Sequence, residues 1–206
     1  MNSIDAVTLE VADPEAAARF YSDAFGLDGS RVRLCACDSP TTGFRGFTLS
    51  LVVAQPGNVD ALFTAAVDAG ATVLKPAAKS LWGYGGVVQA PDGTVWQIAT
   101  SAKKDTVPVT RDVEEIVLLL GVEDVKATKR FYVEQGLTVG KSFGGKYVEF
   151  ATGPGAVKLS LYKRRALAKV AGVAAEGTGS HRLVVSGGSR PFADPDGFAW
   201  QPEPSH

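Results

Sequence analysis

The chain has 206 residues, 45% of them apolar, and 21 Lys and Arg against 22 Asp and Glu, for a net charge of −1. That is enough for one large domain or two of about 100 residues with a real core, and it excludes the basic stripe of a nucleic-acid surface. No apolar run approaches the ~18 residues of a membrane span, and the N-terminus lacks the pattern of a secretory leader. The two cysteines, Cys35 and Cys37, stand two apart on a predicted strand, where a disulfide between them would be strained, so a reduced, cytoplasmic protein is the expectation.

In chain order, Ile4 to Val11 reads as a strand. Asp13 is placed to cap a helix with Pro14 at its first position. Ala16, Phe20 and Ala24 share one helical face, and Gly26 stops the helix. Arg31 to Cys37 is a second strand, 39–43 a turn, and Phe47 to Val53 a strong strand. A helix from Val59 to Ala69 ends at Gly70 and leads into a short strand, Ala71 to Leu74. Strands from Leu81 to Ala90 and Val95 to Ala99 flank a Pro-Asp-Gly turn. The polar stretch from Ser101 to Thr110, with Pro108, reads as a linker. Beyond it come a strand over 115–122, a helix over 125–135 and strands over 138–143, 146–152 and 156–163. A helix from Ala166 to Ala175, a glycine-rich break, a strand from His181 to Ser186 and a last turn complete the chain.

The chain repeats itself. Val11-Ala12-Asp13 leads to Phe20-Tyr21 and Gly26-Leu27, and Val122-Glu123-Asp124 leads to Phe131-Tyr132 and Gly136-Leu137. Each half closes on the same turn, Pro91-Asp92-Gly93 before Trp96-Gln97 and Pro195-Asp196-Gly197 before Trp200-Gln201. An internal repeat fixes architecture before any local signal does. These motifs resemble the vicinal oxygen chelate superfamily, which includes glyoxalase I, extradiol dioxygenases and bleomycin-resistance proteins. The resemblance implies an α+β fold of tandem glyoxalase-like βαβββ modules whose mixed sheets form cups. It divides the chain into residues 1–100, a linker at 101–111, and 112–203 with a shortened final module.

In metal-using relatives, a His on the first strand and a Glu on the last bind a divalent cation. The first-strand position, seven residues before the helix-capping Asp, is Ala6 in one half and Val117 in the other. The last-strand positions are Gln97 and Gln201, and the carboxylate expected on the fourth strand falls on Ser50 and Ser160. None is a good ligand, so no cofactor is expected, with a divalent metal as the lesser alternative. His181 falls where a further first-strand His would stand. It reads as a lone ligand, as an acid/base group, or as a polar residue in a strand hydrogen bond.

If ligand positions face the cup, strand alternation turns Ala6, Thr8 and Glu10 inward, together with Thr48, Ser50 and Val52. Val117, Leu119 and Gly121 join them, as do Lys158, Ser160 and Tyr162, and Gln97 and Gln201. Trp96 and Trp200 then face the helix-packed core. Trp82 and Tyr84, among glycines in Leu81-Trp82-Gly83-Tyr84-Gly85-Gly86, are the best ring contacts for a ligand. The expected ligand set is therefore Trp82, Tyr84, Thr8, Ser50, Gln97, Ser160 and Gln201. Three functions follow. The first is metal-free binding of a small hydrophobic or aromatic molecule. The second is a metal-free lyase or isomerase using Glu10, Tyr162, Lys158 or His181. The third is a metal-dependent lyase or dioxygenase with atypical ligands. The expected partner is a small organic molecule, with no nucleic acid or membrane, and the expected assembly a monomer with an internal pseudo-dimer or a homodimer.

Overall fold

The computed structural model describes residues 4–81 and 83–203. In chain order these form β1 (Ala6–Val11), α1 (Pro14–Phe25), β2 (Val32–Ala36), β3 (Thr41–Gly43), β4 (Phe47–Val52), α2 (Pro56–Asp68), β5 (Thr72–Ser80), β6 (Gly83–Gln89) and β7 (Val95–Thr100). They continue as β8 (Glu115–Val122), α3 (Val125–Glu134), β9 (Val139–Phe143), β10 (Tyr147–Phe150), β11 (Lys158–Lys163), α4 (Arg164–Ala171), β12 (Gly177–Gly179), β13 (Leu183–Ser186), β14 (Phe192–Ala193) and β15 (Ala199–Gln201). The fold is α+β. None of the described helices is long and apolar enough to cross a membrane.

The repeated signals form repeated helices. The Asp13 carboxylate accepts from the Ala16 N–H at 2.9 Å, with Pro14 in the first turn, and Gly26 closes α1 in the left-handed region at φ 66°. Asp124 caps α3 the same way, through Lys126 and Ala127. Elsewhere the chain departs from its sequence pattern. The segment 41–43 is a short strand, because β3 finds a partner in β12. The strand β5 runs on to Ser80, because β6 pairs along it through two bulges. Gly172, at φ 80°, ends α4 before Ala175.

The linker is fastened rather than loose. Gln55 gives α2 no side-chain cap. Its buried amide instead accepts from the N–H groups of Thr106 and Val107 (2.8 and 3.1 Å) and donates to the Val107 carbonyl (2.8 Å). Asp105 accepts from the Gly57 N–H at 2.7 Å, supplying the acceptor that the helix start lacks.

Among the described residues the strands gather into an eight-stranded sheet, ordered β5-β6-β7-β4-β8-β11-β10-β9, a five-stranded sheet, β14-β15-β13-β1-β2, and the ribbon β12-β3. Both larger sheets take strands from either side of 101–111. The eight-stranded sheet joins two complete βαβββ units back to back across the antiparallel pair β4–β8. One unit is β4, α2 and β5–β7; the other is β8, α3 and β9–β11. So β4 opens a unit. It was expected to be a fourth strand, and the unit begun by β1 has none. The five-stranded sheet combines that shortened unit with β13–β15, a unit without a helix.

One continuous core underlies both sheets, uniting Val7, Leu9, Leu49, Leu51, Leu118, Leu120, Trp96 and Trp200. Two polar braces cross it. Tyr21 on α1 donates to Asp92 (2.5 Å) and accepts from Trp96 Nε1 (3.4 Å). Tyr132 on α3 donates to Asp194 (2.7 Å) and accepts from Trp200 Nε1 (3.1 Å). Burial pushes both tyrosine hydroxyls well above their ordinary range.

Candidate functional site

The concave face of the eight-stranded sheet is set by register. Ser50 on β4 lies opposite Gln97 on β7 and Val117 on β8. Thr48 and Ser160 both lie opposite Leu119. Thr48 stands seven residues before Gln55, the N-cap of α2, so it is the first-strand position of its unit, a role the sequence pattern did not assign. The paired positions are thus Thr48 with Gln97 and Val117 with Ser160. Gln97 Nε2 donates to Thr48 Oγ1 at 2.8 Å.

The helix α4 lies across the middle of this face. Leu167 and Ala168, with almost no exposure, pack on Val117, Leu119 and Phe44, and Ala171 packs on Val87 and Val95. Arg164 fixes one end of the helix by donating to the carbonyls of Phe44 (2.5 Å) and Ala175 (2.9 Å). Lys75 caps the other by donating to the carbonyls of Lys169 (2.5 Å) and Val170 (2.7 Å). The centre of the cup is therefore filled by the chain itself. At the β5–β7 end a hollow of about 340 Å³ remains, with Gln97, Val87, Ala99, Gly85, Lys75 and Val170 on its walls.

The expected site residues fall into separate places. Thr8, Glu10 and Gln201 belong to the five-stranded sheet, where Glu10 lies opposite Cys35 and Gln201 opposite Ser186. Burial first, then Glu10, raises the Cys35 thiol, and neither cysteine is in a disulfide. Glu10 and Tyr162 stand on different sheets and form no single acid/base pair. Tyr84 turns its ring to the opposite face, where its hydroxyl donates to Asp60 on α2 at 2.7 Å. Parity explains this: Tyr84 shares a face with Gly86, which abuts Phe63 of α2. Trp82 lies outside the described residues. His181 has its Nδ1 2.5 Å from the Arg45 carbonyl and its Nε2 3.1 Å from the Asp196 carbonyl, and its ring stacks on Phe198 at 4.0 Å. Both ring nitrogens are held by backbone, which suits a structural latch.

Lys158, Ser160 and Tyr162 are brought together on β11, joined by two residues the sequence pattern did not single out, Tyr147 and Glu149 on β10. Tyr147 donates to Glu149 at 2.8 Å and lies 3.3 Å from Ser160 Oγ. Lys158 pairs with Glu115 at 2.8 Å and lies 4.0 Å from Glu149. Burial, reinforced by Glu149, raises the hydroxyls of both Tyr147 and Tyr162, so both are donors at neutral pH. Applying strand alternation to 147–150 as well as to the first and fourth strands would have found both residues.

The donor set does not fit a divalent cation. Two hydroxyls, an amide and the alkyl Val117 occupy the positions that would bind it, and no group of three or more His, Cys, Asp or Glu gathers among the described residues.

The chain has a glyoxalase-like fold. It superposes on glyoxalase I from Zea mays with a TM-score of 0.63 at 13% identity, over 96% of this chain and 90% of that one. It also superposes on a protein from Bacillus subtilis subsp. subtilis str. 168, provisionally assigned as a dioxygenase, with a TM-score of 0.55 at 13% identity, over 90% and 70% of the two chains. At such identities the likeness is one of fold. No protein-family model and no curated protein matches the sequence.

Proposed function

We propose that this chain is a metal-free binding protein for a small hydrophobic or aromatic molecule, held at the β5–β7 end of the cup. The observation that carries this reading is the hollow around Gln97. Its walls are mostly apolar, and one amide, oriented by its bond to Thr48, leaves Oε1 to accept from a ligand. The neutral donor set supports an absence of metal chemistry, and the unpaired cysteines suit a reduced, cytoplasmic setting. With both paired units in one chain, the cup needs no second subunit, which favours a functional monomer.

The test is titration with 1-naphthol, followed by its fluorescence. The expected result is saturable binding of one molecule per chain, with the naphthol recovered unchanged. Val87→Trp, which fills the hollow, abolishes binding, and Gln97→Ala weakens it by about three- to tenfold. Absence of saturable binding, or conversion of the bound probe, overturns the reading.

A further inference from the structure

The opposite end of the same sheet carries a second arrangement of side chains. In one register row, Phe143, Tyr147 and Tyr162 follow each other across β9, β10 and β11. Phe143 stacks beside Tyr147 with centroids 5.9 Å apart, and Tyr147 meets Tyr162 edge to face at 4.9 Å. Phe143, on the edge strand, is 66% exposed. Tyr162 is half-buried, and its hydroxyl makes no hydrogen bond among the described residues, in contrast to Tyr147.

The adjacent row is Lys141, Glu149 and Ser160, in register on the same strands. Glu149 lies 3.6 Å from Lys141 and 4.0 Å from Lys158, and Lys158 also pairs with Glu115. Two ammonium groups meet two carboxylates, so the charges balance and give little net attraction for an ion. What remains is a line of aromatic surface beside groups that donate (Tyr162, Lys141) and accept (Glu149). A hydroxyl group serves both, because it donates and accepts. The weakly positive C–H face of a saturated ring complements the negative face of an aromatic one.

We infer that the β9–β11 end of the cup is a binding platform for a neutral, hydroxyl-bearing ring of the monosaccharide type, its C–H face on Phe143 and Tyr147 and its hydroxyls on Tyr162 and Glu149. This platform is separate from the Gln97 hollow and does not depend on it.

Saturation-transfer NMR with methyl β-D-glucopyranoside on the full chain tests it, with phenol as a second probe. The sugar is expected to bind saturably, about tenfold more weakly in Phe143→Ala and about three- to tenfold more weakly in Tyr162→Phe. Phe143 is exposed and Tyr162→Phe removes one oxygen, so both variants are expected to fold, as circular dichroism would check. Saturating 1-naphthol does not displace the sugar, so failure at either end is read independently. Binding of phenol without the sugar overturns the ligand class. No saturation by either, or sugar binding indifferent to both substitutions, overturns the site.

Discussion

The two large sheets are made from the same unit and keep different parts of it. In the eight-stranded sheet both units retain four strands and a helix, and their first strands meet at β4–β8. In the five-stranded sheet one unit lacks a fourth strand, so β2 pairs directly with β1, and the other lacks its helix. Yet the two Tyr–Asp–Trp braces survive in both halves of the chain, because each one ties the sheets together. Tyr21 belongs to the unit of the five-stranded sheet and reaches Trp96 in the eight-stranded one. Tyr132 reaches in the opposite sense, from the unit of the eight-stranded sheet to Trp200. The shortened units lack elements that only the local sheet would use, while a tie between the sheets stands in each half.

The tryptophans give the hardest test of that contrast. Trp96 and Trp200 are buried to 0% and 1% exposure, so Trp96→Ala and Trp200→Ala should each cost about 3–5 kcal/mol, measured by urea unfolding. The remaining brace and the shared core still join the sheets, so both variants are expected to unfold in one transition. A separate early transition in Trp200→Ala would show the five-stranded sheet to be an independent module. Next in size is Leu167→Ala on α4. Leu167 is fully buried against the concave face, so its truncation should cost about 2–5 kcal/mol. A loss below about 1 kcal/mol would mean that α4 rests on the cup without filling it.

Much of this was legible in the sequence, for a physical reason. Helix caps are local chemistry, so Asp13-Pro14 and Asp124 announce α1 and α3 from a few residues each. The aromatic members of the braces recur in the sequence as Phe-Tyr and Trp-Gln pairs, but their meeting is a long-range contact that no local pattern shows; strand parity placed both tryptophans in the core. The unit boundary was not legible, because β4 follows β3 just as a fourth strand would. Only the helix behind it, opened by Gln55-Pro56 without a capping carboxylate, reveals a first strand. The filling of the cup was not legible either. The amphipathic pattern of α4 shows that it buries Leu167 and Ala171, but not against which surface. Tyr84 and His181 were singled out by residue type, and their partners, Asp60 and two carbonyls, are long-range.

Within the braces, Tyr132→Phe should cost about 1–3 kcal/mol, because the fully buried Trp200 Nε1 then loses its acceptor. Tyr21→Phe should cost less, since its Trp96 contact is the longer one, 3.4 Å. Equal losses in denaturant midpoint would argue that the two braces are interchangeable, against the asymmetry of their geometry.

The smallest effect discriminates best between the halves. Asp194 precedes its turn where Ala90 precedes the other. Burial raises its carboxyl above the ordinary 3.8, and the hydrogen bonds from Tyr132 and the Phe198 N–H only partly offset this. A carboxyl with a raised folded-state pKa binds its proton more tightly in the folded chain than in the unfolded one. Its contribution is therefore most favourable below pH 3.8, and stability falls as pH rises from there through the folded value, then levels off. Asp194→Asn preserves an acceptor for the backbone N–H groups and removes the ionisation. Relative to the wild type, it should therefore gain stability as pH rises through that window and hold the gain above it. Urea midpoints for both proteins between pH 3 and 7 measure the difference. A difference that stays flat, or grows as the pH is lowered, would mean that the hydrogen bonds outweigh burial at Asp194, and that its ionised carboxylate strengthens the second brace.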